Sequence, residues 1–111
     1  MPISADILRG YTDTIILSQL RAGDSYGYRI ARAVSTASDG ALELKEATLY
    51  TAFRRLEAGG YIRSYWGDEQ SGARRRYYAI TPEGREKLAR DTAAWQETRQ
   101  VLDRLVGGES S

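Results

Sequence analysis

The sequence predicts one mainly helical α+β domain, and three observations lead to that prediction. The chain has 111 residues, a length typical of a single domain. Four segments carry apolar residues at helical spacing, and two short ones alternate apolar and polar residues as strands do. Turn signals separate these segments at Asp39-Gly40, Gly59-Gly60 and Ser71-Gly72. The predicted order is helix, helix, a short extended stretch at Leu42 and Leu44, helix, two strands and a final helix.

Composition excludes several kinds of chemistry. The chain contains no cysteine and no histidine, which excludes thiolate and imidazole metal sites and Cys–His or Ser–His nucleophilic pairs. Asp68 and Glu69 are adjacent carboxylates, but they lie in a polar loop without an apolar pocket that would raise a pKa for acid–base catalysis. We therefore expect a binding protein that needs no cofactor, rather than an enzyme.

No targeting or membrane segment is recognisable in the sequence. The N-terminus lacks a charged stretch followed by an apolar one, and no apolar run is longer than Ile15 to Leu17. We expect a cytoplasmic protein that does not contact a membrane.

Apolar spacing and capping residues predict the first two helices. Ser4 is the expected N-cap of a helix from about Ala5 to Leu20. Apolar residues recur there at helical spacing, namely Ile7, Leu8, Tyr11, Ile15 and Ile16. Ser25 is expected to cap the second helix, which ends near Val34.

The third helix, Glu46 to Ala58, has two contrasting faces. At 100° per residue, one face is an apolar stripe of Leu49, Ala52, Phe53 and Leu56. The opposite face holds small residues, threonines and two arginines, namely Ala47, Thr48, Thr51, Arg54, Arg55 and Ala58. Small side chains permit close approach to a DNA groove, while Thr and Arg donate to phosphates and base edges. The pattern suits a helix in the major groove, although an ordinary amphipathic helix with a solvated face shows it too.

A hairpin follows, with alternating segments from Tyr61 to Trp66 and from Arg74 to Ile80. Three consecutive arginines, Arg74, Arg75 and Arg76, stand where the second strand leaves the polar loop, within reach of a DNA backbone. The alternative is an edge strand whose charges block edge-to-edge pairing. The hairpin's tyrosines and tryptophan are expected to pack across the strands rather than to stack on unpaired bases.

The distribution of charge favours DNA binding. The whole chain has a net charge of only +1. Residues 45–78, however, hold seven positive and four negative side chains, a net +3, whereas each flank carries −1. The excess positive charge therefore falls on the third helix and the hairpin.

The last helix carries a stripe that suggests a second copy of the chain. Thr81-Pro82-Glu83 predicts its start, and we expect it to end near Val106. Leu88, Trp95 and Leu102 recur every seven residues. A twofold dimer would bury this stripe and present two third helices to a palindromic site. The alternative is that the stripe docks onto the first helix of the same chain.

These elements together make a winged helix-turn-helix fold, α+β and mainly α, with an added C-terminal dimerisation helix. The expected boundaries are residues 1–80 for the DNA-binding domain, 81–106 for the dimerisation helix and 107–111 for a disordered tail.

Several short motifs resemble those of the PadR family of transcriptional regulators. They are Tyr26-Gly27-Tyr28, Ala47-Thr48-Leu49-Tyr50, Arg55-Leu56-Glu57, Gly60-Tyr61-Ile62, Gly72 to Tyr78 and Thr81-Pro82-Glu83-Gly84. The likeness runs from about Ile7 to Leu105. The short last helix, the segment Ser64 to Glu69 and the position of Trp95 resemble the small PadR subfamily that includes a lactococcal multidrug-binding regulator.

The resemblance implies a homodimeric repressor, often autoregulatory, that small molecules release from DNA. It implies a pocket for a planar aromatic effector at the dimer interface, lined by Ile7, Gly10, Asp13, Thr14, Thr92, Trp95 and Arg99. Thr92 replaces an aromatic residue of that subfamily and Arg99 replaces an acid, which favours a neutral or anionic ligand over a cation. The residues alone favour a packed interface tryptophan at position 95 over one that borders a ligand cavity.

We therefore expect a dimeric regulator that binds double-stranded DNA at a palindromic operator. Major-groove contacts are assigned to Thr48, Tyr50, Thr51 and Arg54. Phosphate contacts are assigned to Lys45, Arg55, Arg74, Arg75 and Arg76. Dimer contacts are assigned to Leu8, Tyr11, Leu88, Trp95, Leu102 and Leu105. The alternative is a winged helix used only for protein–protein contacts, without specific DNA binding.

Overall fold

A computed structural model describes residues 10–67 and 74–107 of the chain. Its elements are α1 (Thr12–Arg21), α2 (Gly27–Ala37), α3 (Glu46–Ala58), β1 (Ile62–Trp66), β2 (Arg76–Ile80) and α4 (Pro82–Leu102), and α4 runs on into a π-helical turn, Asp103–Gly107. The strands pair antiparallel, with Ile62 opposite Ile80 and Trp66 opposite Arg76. The mainly helical α+β winged helix-turn-helix predicted from the sequence is confirmed.

Local signals set the bounds of α3 and the start of α4. α3 spans Glu46–Ala58, as predicted. It ends because Gly60 adopts φ +80°, a left-handed conformation that glycine tolerates best. At the start of α4, the Thr81 hydroxyl accepts a hydrogen bond from the Gly84 amide at 3.0 Å, and Pro82 occupies the first helical position.

The second helix begins later than predicted, and the first is interrupted within its predicted span. Gly10 and Tyr11 form a turn where the sequence predicts continuous helix, and α1 follows from Thr12. The predicted start at Ala5 with its Ser4 cap lies outside the described residues. Ser25 does not cap α2. Its backbone instead pairs with Tyr78, with N–O distances of 3.1 and 2.8 Å. This pairing keeps Ser25 extended and delays the helix until Gly27.

Three further boundaries differ from the prediction. α2 continues past Val34 to Ala37. The leucines of the predicted extended stretch, Leu42 and Leu44, are buried but join no strand, and Ser25 supplies the third extended segment beside the sheet. β2 begins at Arg76 rather than Arg74, so Arg74 and Arg75 precede the strand. The hairpin of β1 and β2, together with the three consecutive arginines, is the wing of this fold.

One core unites the helices with the inner face of the hairpin. Its largest fully buried side chains are Phe53, Ile16, Leu17, Leu20, Ile30, Leu56 and Ile62. The ring of Phe53 stacks on Tyr78 with centroids 4.0 Å apart, which fixes α3 against β2. The stripe predicted on α3 is thus its buried face.

α4 begins in this core and leaves it. Gly84 and Leu88 are the buried residues of α4. Asp91 joins the helix to α1, where its carboxylate lies 3.4 Å from the Thr14 hydroxyl. From Trp95 onward every described residue of α4 and its π-helical turn is exposed. Leu88, assigned above to the dimer, therefore lies inside its own chain, and only the second half of the stripe is open.

Candidate nucleic-acid interface

The rotation of α3 determines which of its side chains face outward. Leu49, Phe53 and Leu56 are each at most 3% exposed. Thr48, Thr51 and Arg54 therefore point away from the core, and all are exposed. The Arg54 guanidinium lies 3.5 Å from the Thr51 hydroxyl, so the two donors sit together on the outer face.

The two other residues assigned to this helix lie at its margins. Lys45 is exposed and is the N-cap residue of α3. Tyr50 is 40% exposed and packs edge-on against Phe53, with centroids 5.7 Å apart. A Cβ placed on Gly27 would lie 3.4 Å from the Tyr50 hydroxyl. Tyr50 thus lies where the start of α2 contacts the edge of the outer face of α3.

Arg55 is engaged by α1. Its guanidinium makes a two-point ion pair with Asp13, which includes a 3.3 Å hydrogen bond from Nε to Oδ2. The hydrogen bond to Asp13 raises the pKa of Arg55. This ion pair joins α3 to α1. It also engages Arg55, which the sequence analysis above assigns to a phosphate contact, with a carboxylate of its own chain.

The wing arginines are ordered by aromatic and polar partners. The guanidiniums of Arg74 and Arg76 lie 5.1 and 5.8 Å from the ring of Trp66, which is 53% exposed. Arg76 also donates to Ser64 at 2.8 Å and lies 3.9 Å from the Glu57 carboxylate. Arg74 is therefore the more available of these two, while Arg76 is tied to α3 and β1. The loop tip, residues 68–73, lies outside the described residues.

A cluster of tyrosines and arginines occupies the outer face of the hairpin. Tyr65 and Tyr77 stand opposite each other and stack at 5.7 Å, which confirms the cross-strand packing expected for this pair. Tyr26 meets Tyr77 edge-on at 5.4 Å. Arg75 and Arg29 each lie 4.9 Å from the centroid of Tyr26. Neither Tyr26 nor Arg29 is among the residues assigned to DNA contacts from the sequence, although their i, i+3 spacing at the start of a helix is a signal that they share a face.

Two neighbouring hollows lie between α1 and α4 and share Tyr11, Thr14 and Trp95 in their walls. The larger, about 620 Å³, also includes Thr92 and apolar residues of α1 and α2. The smaller, about 270 Å³, includes Gly10, Asp13 and Asp91. Five of the seven residues assigned to the effector therefore border one or both hollows.

The remaining two effector residues are placed differently. Arg99 borders neither hollow and lies over the ring of Trp95 at 5.7 Å, with Asp103 4.0 Å from its Nε. Ile7, like the dimer residue Leu8, lies outside the described residues. The other dimer residues on the open stripe are well exposed, with Trp95 at 40%, Leu102 at 51% and Leu105 at 75%.

No helix in the described part of the chain is long and apolar enough to cross a membrane.

Comparison with known proteins places this geometry in a family. The Transcriptional regulator PadR-like family matches residues 16–90. An uncharacterised protein from Lysinibacillus sphaericus is 38% identical over 106 residues, which span 96% of this chain and 97% of that protein. A transcriptional regulator from Clostridium thermocellum is similar in structure, with a TM-score of 0.85 and 48% identity over 92% of this chain and 99% of the other.

A PadR family transcription regulator from Clostridium difficile gives a TM-score of 0.76 and 38% identity, covering 86% of this chain and 98% of the other. The matched residues include α2, α3, the hairpin and the first part of α4. The family consists of transcriptional regulators with a DNA-binding fold, not of enzymes. The chain belongs to the PadR-like family of transcriptional regulators.

Proposed function

We propose that this regulator acts as a homodimeric repressor that recognises a palindromic operator and is released by a small planar ligand. The observation that carries the proposal is the outer face of α3, where Thr48, Thr51 and Arg54 are exposed beside a wing rich in arginine. A threonine–arginine face offers donors to base edges, and wing guanidiniums fit phosphates.

Recognition and positioning would be divided between helix and wing. Thr48, Thr51 and Arg54, with Tyr50 at the edge, would read bases in the major groove. Lys45, Arg74 and Arg75 would hold the backbone on either side. Arg55 and Arg76 would add phosphate contacts only by leaving the carboxylates of Asp13 and Glu57.

The second copy of the chain would dock on the open half of α4. Trp95, Leu102 and Leu105 face solvent, and large exposed apolar surfaces of this kind mark interfaces. Members of the PadR-like family typically dimerise, and a palindromic site requires two outward-facing α3 helices related by a twofold axis.

A planar ligand would enter the hollows beside Trp95. A volume of about 620 Å³ falls within the range of small-molecule sites, and the indole supplies a flat stacking surface. Arg99 over the indole, together with Thr92 in the wall, favours a neutral or anionic aromatic compound over a cation.

Selection from random duplexes, followed by fluorescence anisotropy, tests the DNA proposal. We expect an inverted repeat whose half-site centres are about 10 base pairs apart. With that duplex, Thr51→Ala and Arg54→Ala should reduce discrimination against a scrambled duplex. The double variant Arg74→Ala, Arg75→Ala should weaken binding to both duplexes and flatten the slope of log K against log salt by about 1.8.

Arg85→Ala is the matched control, because Arg85 is an exposed arginine on α4, at the end of the sheet opposite the wing. It should behave as wild type. Failure of the selection to enrich any sequence would overturn the operator proposal and favour a protein-interaction module. An unchanged salt slope in the double variant would remove the wing from the interface.

Titration of planar aromatic compounds, followed by tryptophan fluorescence, tests the effector proposal. Quenching should disappear in Trp95→Ala, and Trp66→Phe should retain it, so that the two indoles are separated. Repression of a reporter under the selected operator should be relieved by the same compounds. Equal affinity of Trp95→Ala and wild type would contradict the proposal.

A further inference from the structure

The start of α2 presents a guanidinium that is fixed in place without a carboxylate. Arg29 donates from Nε to the Ser25 hydroxyl at 3.0 Å and from Nη2 to the Asp24 carbonyl at 2.8 Å. The Asp24 carboxylate instead accepts a hydrogen bond from the Tyr65 hydroxyl. Among the described residues Arg29 takes part in no ion pair, and its side chain is exposed.

The same guanidinium is stacked on aromatic rings. It lies 4.9 Å from the centroid of Tyr26 and 5.9 Å from that of Tyr77. Stacking on tyrosine orients the planar fork and leaves its outer N–H groups directed to solvent. An arginine with fixed orientation and unused donors is well suited to a phosphate, because it loses little conformational entropy on binding.

Tyr26 places this arginine beside one from the wing. The Arg75 guanidinium lies 4.9 Å from the centroid of the same ring. Both guanidiniums therefore stack on the same aromatic ring, which orients them together. The ring of Tyr26 thus connects α2, through Arg29, with the wing, through Arg75.

This cationic pair lies beside the surface proposed to enter DNA. Gly27, the residue after Tyr26, is in contact range of the Tyr50 hydroxyl at the margin of α3. Arg75 precedes β2 at the base of the wing. Arg29 and Arg75 thus lie between α3 and the wing. When the second helix of a helix-turn-helix occupies the major groove, the first helix crosses the sugar–phosphate backbone.

We propose that Arg29 is a further phosphate-binding residue of the DNA interface, and that the ring of Tyr26 positions Arg29 and Arg75 to hold one stretch of backbone. The proposal rests on the DNA-binding function proposed above. Tyr26 is a positioning residue, because it acts through the two guanidiniums.

Anisotropy titrations over a range of salt concentrations, with the selected operator and a scrambled duplex, test the proposal. Arg29→Ala should lower the slope of log K against log salt by about 0.9, equivalent to about five-fold weaker binding near 0.15 M salt. The loss should be similar for both duplexes, because a phosphate contact does not read sequence. Arg29→Lys should keep the slope and recover part of the affinity.

Tyr26→Leu tests the positioning role. It should weaken binding more than Arg29→Ala does, because Arg29 and Arg75 both lose the aromatic ring on which they stack. Tyr26→Phe keeps the ring and should bind as wild type. In a double-mutant cycle, Tyr26→Leu should cost clearly less in the Arg29→Ala background than in wild type. Thermal unfolding of each variant identifies any that fail to fold, and Arg85→Ala is again the matched control.

The outcomes separate this inference from the proposed function. If wild type binds the operator and Arg29→Ala has an unchanged salt slope, Arg29 has a structural role only and the inference is overturned. If Arg85→Ala lowers the slope as much as Arg29→Ala does, the effect is one of overall charge and the inference also fails. If wild type itself binds no DNA, the proposed function fails first.

Discussion

At the scale of single residues, the main finding is that arginines of similar appearance in the sequence have different partners. Arg54 is exposed beside Thr51, Arg55 is paired with Asp13, and Arg76 is linked to Glu57. An ion pair between partly exposed groups contributes little to stability, about 0–1 kcal/mol. It nonetheless determines whether a guanidinium is available to DNA.

The Asp13–Arg55 pair leads to a prediction about DNA affinity. Asp13→Asn removes the opposing charge, so Arg55 becomes available to a phosphate and the negative charge beside α3 is lost. We expect tighter binding to both operator and scrambled DNA, with a salt slope steeper by up to about 0.9. Stability to urea should fall by no more than about 1 kcal/mol.

The double variant Asp13→Asn, Arg55→Ala is the control, and it should lose the added slope. If Asp13→Asn leaves both the affinity and the salt slope unchanged, the pair only fastens α1 to α3.

At the scale of secondary-structure elements, the junction between the hairpin and α4 is a close backbone contact. A Cβ on Gly84 would lie 2.1 Å from the Tyr61 carbonyl oxygen and 2.8 Å from Ile80 Cγ1. Thr81 donates its amide to the same Tyr61 carbonyl at 3.1 Å. Glycine is therefore required at position 84 by close approach of the helix to β1, and this contact sets the direction in which α4 leaves the core.

Gly84→Ala should consequently destabilise the fold. The new methyl group meets backbone that cannot move without shifting α4, and overpacking of this kind costs about 1–3 kcal/mol. At this chain length the midpoint of thermal unfolding should fall by roughly 4–12 °C.

Gly107→Ala is the comparison, because its nearest neighbour would be Asp103 Oδ1 at 3.9 Å. That variant should unfold within about 2 °C of wild type. Equal midpoints for the two variants would show that α4 is free to adjust.

At the scale of the whole molecule, the chain is elongated. Its extents are 57 × 30 × 21 Å and its radius of gyration is 15.8 Å, whereas a compact domain of about 100 residues has a radius near 13 Å. The second half of α4 extends beyond the core, with Leu102 and Leu105 exposed. In a single chain these leucines contribute little buried apolar surface to stability, whereas a dimer would bury them.

The double variant Leu102→Glu, Leu105→Glu tests this arrangement. Both side chains are exposed in the single chain, so the charges should not disturb its core. Light scattering after gel filtration should change from a dimer to a species of 12.4 kDa. Affinity for the inverted repeat should fall towards that for a half-site, because the two copies no longer bind together.

Gln96→Glu, Gln100→Glu adds the same charge on the opposite side of the helix and should leave the dimer intact. A dimer that survives the leucine substitutions would place the interface elsewhere on the chain.

Elements whose signals lie within a few residues could be predicted from the sequence. The bounds of α3 and the start of α4 follow from a double glycine and from a Thr-Pro-Glu cap, which act within a few residues. The stripe on α3 also identified the buried face of that helix, because apolar periodicity maps directly onto one side of a helix. The family resemblance rested on the same local motifs.

The contact partners of individual residues, in contrast, follow from tertiary packing. Ser25 pairs with Tyr78 instead of capping α2, Leu88 enters the core of its own chain, and Arg55 meets Asp13 from α1. Arg29 and Arg75 meet on one tyrosine for the same reason. Such contacts join residues far apart in the chain, so they depend on how the elements pack together, and no local pattern encodes them.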